Sequence, residues 1–550
     1  AATSNVCPSG CGYDSIQSAV DDASGGDKIN VAAGTYNENV RVTKSVSIIG
    51  AGAANTVVRA SNENERVFYI SASGVTVSGL RIVGATANVG IYVDGASNVK
   101  ILNNVIKGNF QGVYLENSND NIISDNTVTS NTNNGIHLNN SNGNTISGNN
   151  ASNNLNYNGI SVNYGNNNQI IDNTVDSNQK NGIYLWLSSS NVIRDNRASK
   201  NREYNGISID TGSDNNIIDN NFVKLNKNNG IGMWESKNNT VSNNVVISNG
   251  RGGFENSGIY LYDSTKCTIT NNDLFNNNEG IFLDSSSINE ITNNNASLNK
   301  YDGIYLWASS NNKITNNIAN SNKYDGIRFY DSSNYNTIAH NVVSDNERGI
   351  FLKLFSDYNI VANNTVSGNS RGGLILSSVN GNVLIGNTLS DNEYGVWVES
   401  SSGNNITNNN FIDNPVQIYV YNISGNVFNS QKPAGGNYWS HYDDPAEGCS
   451  DGDADGFCDA PYTFDSSADY LPWAKQSGWG STGEITLTTI PTTTTLATVT
   501  TAPPATTTGP RVTVTTAPPV KSGLPVKSVI IALVIIAGAA YYLQKQGSKK

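Results

Sequence analysis

Histidine and charged residues are scarce in this 550-residue sequence, which has three His and a charged content of 14%. His137, His340 and His441 are scattered, so no Ser-His-Asp arrangement for nucleophilic catalysis is predicted. The net charge of −12 disfavours a nucleic-acid partner, because a phosphate backbone requires a concentrated basic patch. Low charge combined with few Pro residues over most of the chain also argues against simple disorder.

Cysteine is scarce as well, with five residues in total. Four of them form two close pairs, Cys7 with Cys11 and Cys449 with Cys458, which flank the repeats described below. Outside the cell each pair is expected to be a disulfide, and free thiols with accidental spacing are the alternative. Cys267 remains, and it is expected to fill a buried corner of the fold.

One uncharged apolar run, VIIALVIIAGAAYYL, ends at Leu543 and is followed by a cluster of Lys residues. Counted from Gly523, with Lys527 snorkelling, it approaches the roughly 20 residues that a transmembrane helix needs. We therefore predict a membrane-spanning helix over residues 523–544 and a cytoplasmic tail over residues 545–550.

A Thr/Pro-rich segment precedes that run, over residues 481–522. It cannot bury a core and is expected to form an extended, O-glycosylated stalk. The start at Ala1 without Met is consistent with the removal of a signal peptide. These features predict a protein held at the cell surface by its C-terminal helix.

Gly followed by alternating apolar residues recurs at a spacing of 22 to 24 residues, with a single interval of 28. The positions are Gly90, Gly112, Gly135, Gly159, Gly182, Gly206, Gly230, Gly258, Gly280, Gly303, Gly326, Gly349, Gly373 and Gly395. A repeat of this length with short period-two stretches is typical of one coil of a β-solenoid. Leucine-rich repeats have a similar length but need a Leu-rich consensus that is absent here.

Asn recurs in three columns at fixed distances after these Gly residues. The first column comprises Asn104, Asn126, Asn149, Asn173, Asn196, Asn220, Asn244, Asn272, Asn294, Asn317, Asn341, Asn364, Asn387 and Asn409. The second includes Asn109, Asn131, Asn154, Asn178, Asn201, Asn299, Asn322 and Asn414, and the third includes Asn121, Asn144, Asn168, Asn191, Asn312 and Asn404. Asn tolerates left-handed backbone, and its amide can bond the matching Asn one coil away. Three corners per coil predict an all-β fold, a three-sided parallel β-helix.

An open solenoid end would pair with another chain, so a cap is expected at the N-terminus. The stretch DSIQSAVDDA has an N-cap candidate and helix-spaced apolar residues, and it is predicted to form a short helical cap. The predicted divisions are the N-terminal cap over residues 1–28, the β-helix over 29–430 and a C-terminal cap over 431–480.

Three stretches carry a family resemblance: SIQSAVDDASGGDKINVAAGTYNENVRVTKSVSIIGAG, the NGI…NxI…NN repeats, and GNYWSHY…DGDADGFCDAPY. They cover about residues 12–472 and resemble the NosD family of right-handed parallel β-helices. This family overlaps the carbohydrate-binding and sugar-hydrolase repeats of archaeal surface proteins, and the wider superfamily includes pectate lyases, pectin esterases and uronan epimerases. The resemblance therefore implies the fold without selecting an activity. The family name implies copper, but copper prefers Cys, Met and His ligands, and the chain has a single Met, Met233. A copper role is not expected.

On one strand of each coil, the second and fourth residues after Gly are expected to face outward. The aromatic residues placed there are Tyr184, Trp186, Trp234, Tyr260, Tyr262, Tyr305, Trp307 and Tyr330. Aromatic rings have apolar faces and polar edges and suit a sugar ring, so a carbohydrate-docking surface is predicted. A contact with another protein, including self-assembly, and simple stacking of rings between coils are the alternatives.

The motif KYDGI occurs twice and would stack Asp302 and Asp325 about one strand spacing apart, near Arg328. Two close carboxylates could share a proton or hold Ca²⁺ beside an Arg base, which suits uronan lysis or acid–base hydrolysis. The favoured interpretation is that these are solvated turn residues. An extracellular lyase, epimerase or glycoside hydrolase is the alternative function.

An Asp-rich loop in the predicted C-terminal cap matches the start of an EF-hand-like calcium loop, with carboxylates at positions 1, 3, 5 and 9 and Gly at position 6. These carboxylates belong to Asp451, Asp453, Asp455 and Asp459. Position 12 is Tyr462, so Asp465 or Asp469 would have to supply the bidentate acid. A structural Ca²⁺ is predicted, and a plain acidic turn is the alternative.

N-glycosylation sequons occur at Asn139, Asn150, Asn238, Asn295, Asn363, Asn405 and Asn422. A laddered Asn that points inward could not be modified, whereas Asn139 lies at an outward position and is a candidate. The leading functional prediction is a membrane-anchored, glycosylated surface protein with a structural or adhesive role. It would act in a surface layer, in a filament or as a glycan-binding adhesin.

Overall fold

The computed structural model describes residues 1–251, 253 and 256–481. The predicted stalk, membrane-spanning helix and cytoplasmic tail lie outside the described residues, from residue 482 onward. The described part is a parallel β-solenoid with almost no helix, which confirms the predicted all-β fold. Within it, every helix is too short or too polar to cross a bilayer.

Three parallel sheets, named A, B and C, form the sides of the solenoid. Sheet A contains Thr3–Val6, Lys28–Val31, Ser47–Gly50, Thr76–Ser78, Lys100–Leu102, Ile122–Ser124, Thr145–Ser147, Gln169–Ile171, Val192–Arg194, Ile217–Asp219, Thr240–Ser242, Thr268–Thr270, Glu290–Thr292, Lys313–Thr315, Thr337–Ala339, Ile360–Ala362, Val383–Ile385 and Asn405–Thr407. Sheet B has three segments, Gly34–Asn37, Thr56–Arg59, Arg81–Val83, Val105–Lys107 and Thr127–Thr129, then Arg197–Ser199, Phe222–Lys224, Val245–Ile247 and Asp273–Phe275, then Val342–Ser344, Thr365–Ser367, Thr388–Ser390, Asn410–Ile412 and Tyr438–Trp439.

Sheet C is the side that carries the repeat Gly residues and the predicted outward aromatic rings. Its strands are Val40–Val42, Phe68–Ile70, Val89–Asp94, Gln111–Glu116, Ile136–Asn139, Ile160–Asn163, Ile183–Trp186, Ile207–Asp210, Ile231–Trp234, Ser257–Tyr262, Glu279–Asp284, Ile304–Trp307, Asp325–Tyr330, Arg348–Lys353, Gly372–Ser377, Tyr394–Glu399 and Val416–Tyr421. Each strand pairs in register with the strand one coil away, so equivalent repeat positions form straight columns along the axis.

Alternation within each strand separates a continuous apolar core from the surface. In the strand Ile183–Trp186, Ile183 and Leu185 are 0% exposed, whereas Tyr184 and Trp186 are partly exposed on the outer face. Equivalent aliphatic residues extend this core from Val6 to Trp439. Because full burial of one such side chain contributes about 1.5–3 kcal/mol, the stacked core is the main source of stability.

Asn ladders hold the three corners, as predicted from the columns. The Oδ1 atom of Asn126 accepts the backbone N–H of Asn104 at 3.0 Å and its Nδ2–H at 3.1 Å, and the same pair of bonds recurs from coil to coil. Cys267 occupies a corner position of the third column, as expected, where its N–H donates to Asn289 Oδ1 at 2.9 Å. One predicted ladder residue is wrong: Asn221 occupies the ladder and Asn220 lies on the surface. The cause is one additional residue at the preceding corner, where Gly212 has a φ of +67°.

A short helix, Ile16–Asp22, lies where a helix was predicted, and it buries Ile16, Ala19 and Val20. The Ser15 hydroxyl accepts from the Ser18 N–H at 3.1 Å, and the Glu38 carboxylate accepts from the first free N–H groups of the helix.

Both predicted disulfides, Cys7–Cys11 and Cys449–Cys458, are formed. Near the C-terminal end of the described chain lie an antiparallel pair, Tyr462–Phe464 with Ser467–Asp469, and a 3₁₀ turn, Gly478–Ser481.

Candidate functional site

The outer face of sheet C has two rows of side chains, at the second and fourth residues after each repeat Gly. Many rings in the first row stack on the equivalent ring one coil away. The rings of Phe282 and Tyr305 are 4.6 Å apart with an interplanar angle of 11°, and Phe282 is only 3% exposed. Stacking between coils therefore covers much of this row, and the accessible aromatic surface is smaller than the sequence suggests.

The predicted ligand-binding rings fall into several environments. Tyr184 and Trp234 line a cleft, whereas Tyr260 and Tyr305 belong to the stacked row. The edge of Trp186 packs against Tyr164. Tyr262 and Trp307 are the most exposed members of the set, at 40% and 37%, and Tyr330 packs beside Trp307.

The cleft is an open cavity of about 490 Å³ on sheet C, and its aromatic lining comprises Tyr157, Tyr184, Tyr204 and Trp234. Tyr157 and Tyr204 come from the turns that precede Gly159 and Gly206, and they are 41% and 44% exposed. Each lies two residues before its Gly, so turns two coils apart raise rings above the sheet, and Lys180 occupies the same position in the coil between them. This wall is a feature that the outward-facing strand positions alone did not predict.

Small residues at the second position leave space at the cleft, where Ser208 belongs to the lining and Gly232 follows it one coil later. Ser161, Ser208 and Gly232 stand where other coils carry Tyr or Phe. A Cβ atom at Gly232 would lie 2.3 Å from the indole of Trp234, so this indole lies across the Gly. The cleft thus depends on small side chains in the row at the second position and on the Trp234 indole from the row at the fourth position.

Polar groups converge on the same space. The Tyr184 hydroxyl donates to Asp210 Oδ2 at 3.2 Å, and the Lys180 ammonium lies 3.9 Å from the centre of the Tyr157 ring. Burial raises the pKa of the Tyr184 hydroxyl, and the Asp210 charge adds to this effect. Tyr184 is therefore a neutral hydrogen-bonding group at physiological pH.

A fourth Asn column, at the residue before five consecutive repeat Gly residues, contributes Asn158, Asn181 and Asn205 to the lining of the cleft. It comprises Asn134, Asn158, Asn181, Asn205 and Asn229. Here the Oδ1 of one coil accepts the backbone N–H of the next coil, which is the reverse of the direction in the corner ladders. We call this column the Gly-preceding ladder.

The Gly-preceding ladder changes from amides to carboxyls further along the solenoid, where Ser257 is followed by Glu279, Asp302 and Asp325. Asp302 and Asp325 are 2% and 0% exposed, which corrects the expectation that they are solvated turn residues. The physical reason is the ladder itself, since Asp302 Oδ1 accepts the Asp325 N–H at 2.9 Å and is held against the core. We call the three acids the acid column.

Two guanidinium groups neutralise the acid column. Arg348 forms two hydrogen bonds with the Asp325 carboxylate, one of them 3.2 Å long, and Arg328 lies 3.5 Å from Asp302. Arg328 is held over the rings of Tyr305 and Tyr330. The predicted proximity of Asp302, Asp325 and Arg328 is therefore real, but the site that they form is closed.

Burial raises the pKa of Asp302 and Asp325 and raises the pKa of Glu279 to about 8, with the Asp302 charge adding to the effect on Glu279. With Glu279 protonated, Asp302 and Asp325 are the acid-column groups that pair with the two guanidinium groups. Because these carboxyls are covered, a sugar cannot reach them for acid–base catalysis without rearrangement of the coil.

The Asp-rich loop brings carboxylate oxygens of Asp451, Asp453 and Asp455 within 4.8 Å of one another. Asp459 accepts the Gly452 N–H at 3.0 Å, and Lys432 pairs with Asp455.

Asp469 cannot serve as the replacement bidentate acid that the loop requires. It is 0% exposed and accepts from the Asn437 N–H at 2.7 Å and from the Trp439 indole at 3.0 Å. Asp465 remains as the second acid considered for that role, and calcium binding stays a prediction.

Comparison with known proteins assigns a family. The family described as "Periplasmic copper-binding protein (NosD)" matches residues 20–224, 156–255, 225–354 and 254–444, which together span most of the solenoid. A cell surface glycoprotein of Methanothermus fervidus is 33% identical over 100 residues, which are 18% of this chain and 16% of that protein.

Similar solved structures include the Dettilon tailspike protein, with 16% identity, a TM-score of 0.34 and coverage of 68% of this chain and 62% of that one. The mannuronan C-5 epimerase AlgE6 A-module of Azotobacter vinelandii has 17% identity, a TM-score of 0.25 and coverage of 75% of this chain and 93% of that one.

The described residues do not fit a copper centre. Met233 and Cys267 are both buried in the core, and the His137 ring is stacked on Tyr114 at 4.8 Å. The Nε2 atom of His441 is bonded to the Tyr462 hydroxyl at 2.8 Å. In the described part of the chain, the groups of three or more candidate His, Cys, Asp or Glu ligands consist of carboxylates alone, which are not the soft donors that copper prefers.

Proposed function

The chain belongs to the NosD family, and we propose that it is a cell-surface rod that binds glycan in the sheet C cleft. The observation that carries this proposal is the cleft itself, which four aromatic rings line together with the small residue Ser208 and several polar side chains. A sugar ring offers an apolar face to stack on such rings and hydroxyl groups at its rim. Asp210, Lys180 and the Asn amides supply partners for those hydroxyl groups.

The concave shape supports a glycan over a flat protein contact. Ligand sites are clefts with apolar walls and a few convergent polar groups, whereas protein interfaces are broader. The cleft has both Lys180 and Asp210, so it has no large excess of either charge. An uncharged oligosaccharide matches this balance better than a uronan does.

Binding is favoured over turnover by the placement of the acids. Hydrolysis of a glycosidic bond generally uses a pair of carboxyl groups on either side of the bond. Among the described residues, the lining of the cleft contains a single carboxylate, that of Asp210. The enzyme alternative would require the acid column to open.

The surface location is part of the proposal. It is supported by the relative named as a cell surface glycoprotein, although this chain spans only 16% of the length of that protein. The apolar residues 523–544, preceded by the Thr/Pro-rich residues 481–522, support an anchor and stalk. Fractionation of cells that express the full chain tests this location, because deletion of residues 523–544 should move the protein from the membrane to the medium.

The binding proposal is tested by screening the full chain against neutral and uronate oligosaccharides, followed by calorimetry of the best binder. Tyr157→Ala combined with Tyr204→Ala should weaken binding at least tenfold. Tyr301→Ala combined with Tyr324→Ala is the matched control, because these Tyr residues occupy the same repeat position outside the cleft. Equal losses in both double variants, or failure to bind any glycan, would contradict the proposal. Shortened or unsaturated products would establish the enzyme alternative instead.

A further inference from the structure

The seven sequons differ sharply in how the solenoid presents them. In three of them the acceptor Asn is exposed in a left-handed corner, with φ of 56° at Asn238, 53° at Asn363 and 49° at Asn422. All three acceptor side chains are exposed; the Asn422 amide donates only to the exposed Ser400 hydroxyl, at 3.5 Å, and the Asn363 Oδ1 lies over Gly386 of the next coil. The corner accepts Asn because Asn tolerates positive φ better than most residues do.

The hydroxyl residue of each corner sequon is also within reach of solvent. Thr240 is partly exposed, and Thr365 and Ser424 are exposed. In the first two sequons the middle residue is a ladder Asn, which fixes the loop against the core. Acceptor amide and hydroxyl are therefore both displayed at the edge of the rod.

The other four sequons have a buried hydroxyl residue. Ser141, Ser152, Ser297 and Thr407 are 0%, 4%, 7% and 2% exposed. In addition, the Asn139 amide donates to both carboxylate oxygens of Glu116, at 3.0 and 3.2 Å. The earlier expectation for Asn139 rested on its outward position alone, and these contacts argue against its modification.

The side chains of Asn295 and Asn405 are held against the coil as well. The Asn295 Oδ1 accepts from the hydroxyl of its own sequon, Ser297, at 2.7 Å. The Asn405 Oδ1 is buried. A glycan on either side chain would have to displace packed groups of the coil.

We propose that Asn238, Asn363 and Asn422 carry N-linked glycans and that the sequons at Asn139, Asn150, Asn295 and Asn405 stay unmodified. This inference rests on the proposed cell-surface location, because N-glycosylation acts on exported chains. The three acceptors lie outside the lining of the cleft. Glycans there cover corners of the rod and leave the glycan-binding face accessible.

Site-specific mass spectrometry tests the proposal on the full chain, purified from a host that N-glycosylates its exported proteins. Glycopeptides are expected at the three corner sequons, and unmodified peptides at the other four. Thr240→Ala, Thr365→Ala and Ser424→Ala should each remove one glycan mass while retaining the acceptor Asn. Ser152→Ala is the matched control and should leave the glycan mass unchanged.

A glycan at one of the four buried sequons, or bare corners on an exported chain, overturns the assignment. Protease treatment of intact cells separates this failure from failure of the proposed location. A chain that is protected from protease is not at the surface, and it overturns both proposals. A protein that is cleaved at the surface but bare at its corners overturns the glycan assignment alone.

Discussion

The cleft and the acid column are built on the same frame, yet one is open and the other closed. Both lie on sheet C beside the Gly-preceding ladder, and both have Tyr two residues before the repeat Gly, at Tyr157 and Tyr204 or at Tyr301 and Tyr324. The difference lies in the floor. Ser208 and Gly232 leave space, whereas large side chains at the same position fill the second region. A uniform backbone can therefore carry a local binding site when small residues replace a few large side chains in one row.

The cleft and the acid column also differ in the charge of their ladder residues. Amides in the ladder need no counterion and can remain beside an open cleft, whereas buried carboxylates require partners. Arg328 and Arg348 provide those partners and also help to fill the space above the sheet.

The largest expected effect comes from removing a guanidinium from the closed region. Arg348→Ala leaves the buried Asp325 carboxylate without its hydrogen-bonded partner and should destabilise the protein by about 3–5 kcal/mol. Chemical denaturation followed by tryptophan fluorescence measures this loss. The control is Lys313→Ala, which breaks an exposed pair with Glu290 and should cost less than about 1 kcal/mol. Comparable losses in the two variants would show that the acid column is not a closed, desolvated cluster.

The next effect is the pH dependence of the closed region. The pKa of Glu279 rises from its ordinary value of 4.5 to about 8 in the folded chain. Between these values the folded state holds a proton that the unfolded state has lost, so this residue makes stability fall as pH rises from about 4.5 to about 8.

Glu279→Gln should therefore raise the thermal midpoint at pH 8 and flatten its decline between pH 5 and pH 8. The exposed substitution Glu290→Gln serves as the control and should retain the wild-type slope. An unchanged slope in Glu279→Gln would mean that this carboxyl ionises in the folded state as it does in water.

Filling the open region should convert it towards the closed one. Ser208→Tyr places a ring where the preceding coil already carries Tyr184 and the second coil beyond carries Tyr260, so the fold should be retained. We expect glycan binding to weaken at least tenfold, which calorimetry would detect, with a thermal midpoint near that of wild type. Retained affinity would place the bound sugar elsewhere on the rod.

A smaller loss is expected from Gly232→Ala. The added methyl group would collide with the Trp234 indole and displace it without straining the backbone. Affinity should fall severalfold, and the fluorescence of Trp234 should change on a background in which the other Trp residues are unaltered. Ser189→Ala, in a turn outside the lining of the cleft, is the control and should leave the affinity unchanged.

The smallest effect is expected from the removal of calcium, which should change neither the cleft nor the acid column. If the Asp451–Asp455 carboxylates hold Ca²⁺, a chelator should lower the thermal midpoint of the C-terminal part alone. Glycan affinity and the pH slope should be unaffected. A midpoint that does not respond to chelation favours the plain acidic turn.

The sequence predicted the solenoid because each Asn column corresponds to one hydrogen-bonded ladder, and a period of 22 to 24 residues leaves little freedom in the register. Asn220 was misplaced because one extra corner residue shifts the ladder without changing the composition of the motif.

The cleft was not predicted because it depends on small side chains at Ser208 and beneath Trp234 at Gly232, together with Tyr residues in turns. The burial of Asp302 was missed for a related reason. A polar residue before Gly is typical of an ordinary exposed turn. However, the Asn residues at the equivalent position in earlier coils form a buried ladder, and Asp302 continues it.

The corner ladder that runs through Asn104 and Asn126 repeats the same two hydrogen bonds from coil to coil, so one contact between coils closely resembles the next. A whole repeat can therefore be gained or lost by duplication or deletion, and the remaining neighbours meet through the same bonds. Each such event between Gly349 and Gly395 would change the distance from the cleft to the C-terminal end of the solenoid by one strand spacing, about 4.8 Å, without touching the cleft. Evolution can thus adjust how far the binding face stands from its base separately from what that face recognises.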